Sequence, residues 1–104
     1  MKITADKVAE VIILARDMDR NEAQFDSFIA GLTDSEKTNL VALMWIGRDS
    51  FDALDWEDAV ATAEEEATTP TELYLKGTPH LADHLEAGLE AMGFSASDEE
   101  DALY

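Results

Sequence analysis

Apolar and polar positions alternate along this chain with helical spacing, and no stretch shows the two-residue period of a strand. A first helix is predicted over Ile3–Met18, with Val8, Val11, Ile12 and Ala15 on one face. Thr4 is its expected N-cap, and Asp6 suits the positive end of the helix dipole. Ile13 and Leu14 widen the apolar face well beyond one stripe. Such a helix is either a buried central element or shares a face with a second copy of the chain. Asp17–Asn21 is polar and reads as a loop. Phe25, Phe28, Ile29 and Leu32 then recur at i, i+3, i+4 and i+7, the pattern of a short amphipathic helix ending near Gly31.

The strongest apolar signal is Leu40–Ile46, seven uncharged residues in a row. Thr33 and Glu36 form an expected capping box ahead of it. Leu40, Leu43, Met44 and Gly47 make one stripe, and Val41, Trp45 and Arg48 a second. With Ile46 they leave little of this helix polar, so it is expected to be buried nearly all round. Gly47 either admits a close helix neighbour or begins the stop. Arg48 sits in the last turn, where a cation suits the negative helix end.

Asp49–Asp55 is the linker, with Asp52 or Asp55 as the next cap. Trp56, Ala59, Val60, Ala63 and Ala67 make the following stripe. Glu64, Glu65 and Glu66 crowd the end of that helix, where negative charge is unfavourable. They mark either a cation or partner site or a solvated acidic face. Thr69-Pro70-Thr71-Glu72 is a helix start, with a cap, Pro70 at the first helical position and a capping-box glutamate; Gly77 ends this short helix, and Thr78-Pro79 repeats the start signal. Leu81, Leu85, Gly88, Leu89 and Met92 share a face that Gly93 closes. From Ser95 the chain is an acidic tail, expected to be flexible, with at most a transient turn begun at Ser97. The expected architecture is a compact all-α bundle of about five helices. One domain is expected over residues 1–94, followed by a tail over 95–104.

LVALMWIGR at 40–48 is followed by Phe51, Trp56 and TTPTELYLKGTPHLADHLEAGLEAMG at 68–93, with Phe25–Leu32 ahead of them. This order resembles an uncharacterised bacterial family, domain of unknown function 3775, over about residues 22–93. The resemblance implies a small, bacterial, largely helical protein. It brings no catalytic residue with it.

Charge changes the picture most. The chain carries 24 acids against 7 bases, a formal net charge of -17 over 104 residues. Residues 1–48 hold 8 acids and 6 bases, whereas residues 49–104 hold 16 acids and one base, Lys76. Such a surface repels phosphate backbones and anionic lipid, so direct nucleic-acid or membrane binding is not expected. The longest apolar run falls far short of the ~20 residues that span a bilayer. Met1–Asp6 reads as a polar helix start rather than a leader, and the expected location is cytoplasmic. With no cysteine, disulfides, thiol catalysis and cysteine-ligated metals are excluded.

Candidate chemistry is sparse. His80 and His84, one helical turn apart, are candidate metal ligands, with Asp83 placed to help. Arg48 has two readings. One is an ion pair with Asp49, Asp52, Asp55 or Glu57 that fixes the turn after the central helix. The other is an anion site beside Trp45 and Trp56, suited to the planar fork of arginine. Trp45, Arg48, Asp49 and Trp56 are therefore the candidate interaction residues. No nucleophile elbow or phosphate loop is present, no cofactor is expected, and the chain is not expected to be an enzyme. The favoured role is a small acidic interaction or accessory protein that binds a partner protein or itself as a homodimer. Mimicry of nucleic acid by the acidic face is one form of that role. A metal- or small-ligand-binding protein using His80 and His84 or Arg48 is the alternative.

Overall fold

The computed structural model describes residues 1–67 and 69–94. The predicted tail and the turn at Ser97 lie outside the described residues. The described chain is helical, without strands: α1 Ala5–Arg16, α2 Met18–Ala30, α3 Asp34–Gly47, α4 Trp56–Glu65, α5 Thr71–Lys76 and α6 Leu81–Ala91. A single 3-10 turn, Ala53–Asp55, precedes α4. No described helix is long and apolar enough to cross a membrane.

The helix starts follow local chemistry where a cap is available. The Thr4 hydroxyl accepts from the Lys7 amide at 3.2 Å. At α3 both halves of the capping box form: the Glu36 amide donates to Thr33 Oγ1 at 3.1 Å, and the Thr33 amide donates to Glu36 Oε1 at 3.0 Å. Asp52 precedes the 3-10 turn and Asp55 precedes α4, and neither side chain makes a capping bond.

Four boundary expectations need correction. Asp17–Asn21 is a single helical turn rather than a loop: α2 starts at Met18, with non-helical angles at Asp17 before it and a kink at Asn21 within it. The Asp17 carbonyl accepts from the Arg20 and Asn21 amides, and its carboxylate accepts from Asn21 Nδ2 at 2.7 Å. The polarity of this segment reflects its exposure rather than a loss of helix. Second, Gly47 does not stop α3. The stop is Asp49, at φ 64, with the Ser50 amide bonded to the Trp45 carbonyl and the Asp49 amide to the Ile46 carbonyl. This is a Schellman closure with aspartate in the left-handed position. Third, Pro70 is the residue before α5 rather than its first helical residue, because its ψ of 134° is extended. Fourth, Thr78-Pro79 does not open α6. Thr78 closes α5 through its amide and hydroxyl, bonded to the Leu75 and Tyr74 carbonyls. His80, in the left-handed region at φ 58, turns the chain into Leu81.

Packing places α3 at the centre, with α4 on one side and α6 on the other. α1 lies against α6, α2 packs on α1, and α5 bridges α2 to α3. Leu40 to Ile46 are all buried, as their unbroken apolar run predicts. Val8, Ala9, Val11, Ile12 and Leu14 are buried within the same chain. Ile13, which widens that face, and Ala15 are half-buried. The α3–α6 crossing depends on glycine. A Cβ at Gly47 would fall 1.7 Å from the His84 carbonyl oxygen, and one at Gly88 would fall 2.4 Å from that of Leu43.

Two polar anchors fix the periphery. The Asn39 side chain is buried, accepting from the Lys2 amide and donating to the Ser35 carbonyl, both at 2.8 Å. Lys76 reaches across from α5 to Glu22 and Asp26 of α2, each at 3.0 Å. Those two carboxylates, Glu22 first, raise the Lys76 pKa above its ordinary value.

Glu36 gives a pH prediction. Its hydrogen bond from Lys7, followed by that from the Thr33 amide, lowers its pKa from the ordinary 4.5. A carboxyl depressed in the folded state stabilises the fold above its unfolded pKa, and that contribution is lost as pH falls through the folded value. Wild type is therefore expected to exceed Glu36→Gln in stability by a margin that is full above about pH 5 and shrinks below it. Urea midpoints of both proteins from pH 7 to 3 check this. A margin constant with pH would contradict it.

Candidate functional site

Three elements, α3, α4 and α5, enclose a cleft of about 470 Å³. Its floor is apolar, formed by Val41, Trp45 and Ala63, because the second stripe of α3 meets the stripe of α4 there. Trp45 is only 5% exposed and is held on two sides. Its indole N–H donates to the Tyr74 hydroxyl at 2.9 Å, and its ring stacks on Phe51 with centroids 5.8 Å apart and planes inclined by 25°. Tyr74 therefore ties short α5 to the central helix while lining the cleft.

The rim is charged and asymmetric. Glu65 and Glu66 stand on the α4 side, where the last helical carbonyls already supply negative potential. Lys37 stands on the α3 side, and its ammonium has no ion pair among the described residues. Thr38, Thr69 and Thr71 add hydroxyls.

Acidic side chains crowd the segment from the end of α3 to the end of α4, with Glu65 and Glu66 on this cleft and Glu57 and Glu64 on a second one beside Trp56. Asp49, Asp52, Asp55, Glu57, Asp58, Glu64, Glu65 and Glu66 are all exposed. None of these eight forms an ion pair among the described residues. Elsewhere, the described residues form the ion pairs Lys7–Glu36, Arg16–Glu86, Lys76–Glu22 and Lys76–Asp26.

The residues singled out in the sequence are only partly brought together. Arg48 is exposed at the end of α3, and its Nε donates to Ser50 Oγ at 3.0 Å. The expected ion pair with Asp49, Asp52, Asp55 or Glu57 does not form. The Schellman closure at Asp49 already fixes the turn through the backbone, so no side-chain bridge is needed. Trp45 and Trp56 open onto different clefts. Trp56 lines a second one, of about 400 Å³, with Met1, Asn39 and Val60, and Arg48 lines neither.

His80 and His84 do not share a helical face. His80 precedes α6 in the left-handed conformation and is exposed, whereas His84 lies within the helix and is half-buried. Among the described residues, no three histidine or carboxylate side chains stand close enough together to hold a metal ion.

Lys37, Val41 and Tyr74 were not separable from ordinary surface and core by spacing alone. The one local signal was the run Glu64–Glu66 at the wrong end of its helix. Residues 22–94 match a family model described as "Protein of unknown function (DUF3775)", a span that contains the whole cleft. No curated protein and no solved structure matches the chain.

Proposed function

We propose, from the premise that the chain belongs to the DUF3775 family, that it is a small interaction protein whose acidic second half binds a basic surface on a partner protein. The observation that carries this reading is the set of eight exposed acids between residues 49 and 66, none of them in an ion pair among the described residues. Unpaired charge of one sign concentrated in one segment raises the local concentration of oppositely charged partners and speeds their encounter. The same field disfavours phosphate backbones and anionic lipid, so a protein partner fits it better than either. The reading is of binding rather than catalysis. The protein's own bases are used to join helices, as Lys7, Arg16 and Lys76 show. Cytoplasmic placement accompanies the proposal.

Salt and charge test it together. A partner captured from lysate at about 0.05 M salt and identified is expected to release near 0.5 M, where the Debye length drops from roughly 14 Å to roughly 4 Å. Replacing Glu64, Glu65 and Glu66 together with glutamine is expected to weaken capture of that partner at least about tenfold, a change of about 1.4 kcal/mol. Affinity that ignores both salt and the triple substitution would overturn the reading.

A further inference from the structure

We infer that the cleft at Trp45 is the anchor point for that partner, taking one bulky apolar side chain from a segment that carries lysine or arginine beside it. The inference rests on the acidic-surface reading, and it adds a place and a chemistry to it. Two clefts meet the acidic segment, and the one at Trp45 is the larger of the two, with an apolar floor of Val41, Trp45 and Ala63 and a volume within the range of ligand-binding clefts. Anchors at protein interfaces are dominated by aromatic and apolar side chains seated in such preformed hollows. The floor is preorganised, because the Tyr74 hydroxyl and the Phe51 ring hold Trp45 in place before anything binds.

The rim then selects charge and direction. Glu65 and Glu66 lie at the carboxyl end of α4, so helix end and side chains attract a cation at the same spot. Lys37 on the opposite wall repels one. A basic residue next to the anchor is therefore directed toward α4, and the segment can enter in only one favourable orientation. Charge complementarity of this kind sets register and orientation at an interface more than it sets raw affinity.

The two tryptophans provide an internal control. Full-length protein labelled with nitrogen-15 is titrated, at low salt, with a twelve-residue peptide bearing one central phenylalanine among lysines and arginines. Two matched peptides carry alanine in place of phenylalanine, or phenylalanine among serines and glutamines. The basic phenylalanine peptide is expected to shift the Trp45 indole resonance and leave that of Trp56 unmoved. The alanine peptide is expected to bind at least about tenfold more weakly. Thr38→Phe and Ala67→Phe, which narrow the cleft from two sides without entering the core, are each expected to abolish the Trp45 shift. Lys37→Ala is expected to tighten binding of the basic peptide a few-fold.

Equal binding of the alanine peptide, or no movement of Trp45, would overturn the anchor while leaving the acidic surface as the binding face. Equal binding of the uncharged phenylalanine peptide would instead remove the acidic reading and leave the cleft.

Discussion

Gly47→Ala is expected to destabilise the protein by at least ~3 kcal/mol, and Gly88→Ala by a similar amount, so that one or both fail to fold. The reason is where the clash falls. The added methyl at Gly47 would lie 1.7 Å from the His84 carbonyl oxygen, 2.6 Å from its carbon and 2.8 Å from the Gly88 amide nitrogen. All three are backbone atoms of α6, and none can rotate aside. At Gly88 the methyl would lie 2.4 Å from the Leu43 carbonyl oxygen and 3.0 Å from Leu43 Cγ. Relief requires α3 and α6 to separate, which opens voids beside Leu40, Leu43, Leu85 and Leu89, all fully buried. Each lost contact is small, but the loss extends along the whole crossing.

Gly31 is the control. A methyl there meets nothing closer than 3.4 Å, and its φ of -80° suits any residue. Gly31→Ala is therefore expected to gain ~0.4–1 kcal/mol by restricting the unfolded chain. Denaturant midpoints for the three variants check the contrast. A Gly47→Ala protein as stable as wild type would show that the crossing is looser than described.

Trp45→Ala carries the second large effect, an expected loss of ~3–5 kcal/mol. Trp45 is 5% exposed and packs into the main core, so its removal leaves a cavity that neighbouring helices fill only in part. It also leaves the half-exposed Tyr74 hydroxyl without the indole donor that ties α5 to α3. Two milder substitutions separate packing from this bond. Trp45→Phe and Tyr74→Phe each remove it, and their combination is expected to cost less than the sum of the two by about 1 kcal/mol. Strict additivity in that cycle would mean the bond does not contribute. Because Trp45 supports the fold, its loss is a poor probe of binding; Thr38 and Ala67 serve that purpose better.

What was legible in the sequence was local. The capping box at Thr33 and Glu36 needs only residues three apart, and it forms in full. Leu40 to Ile46 has no polar face to turn outward, so burial follows from composition alone. The resemblance drawn from LVALMWIGR and the tract at 68–93 holds over residues 22–94. What was not legible depends on a second element. Gly47 reads equally as a stop or as a close-approach site when only its own helix is considered, and the crossing of α6 decides for close approach. Asp49 takes the stop because aspartate tolerates the left-handed region better than most residues. His80 and His84 look like a pair only if one helix runs through both, and the left-handed turn at His80 breaks that helix.

The cleft illustrates the same limit. Lys37, Trp45, Ala63 and Tyr74 come from three helices, and no spacing within one helix relates them. Trp45 and Trp56 lie eleven positions apart and share one candidate site in sequence, yet α3 and α4 open them onto different hollows. The sequence marks that end of α4 only through the run Glu64–Glu66, which the structure leaves exposed.

Hydrogen exchange of the full chain, with and without the partner identified by low-salt capture, tests the central claim most directly. The acidic-surface account predicts slowed exchange concentrated in residues 53–66 and in α5, with α1 and α2 unchanged, and loss of that protection at high salt. Protection confined to α1 and α2, or the same protection at every salt concentration, would contradict it.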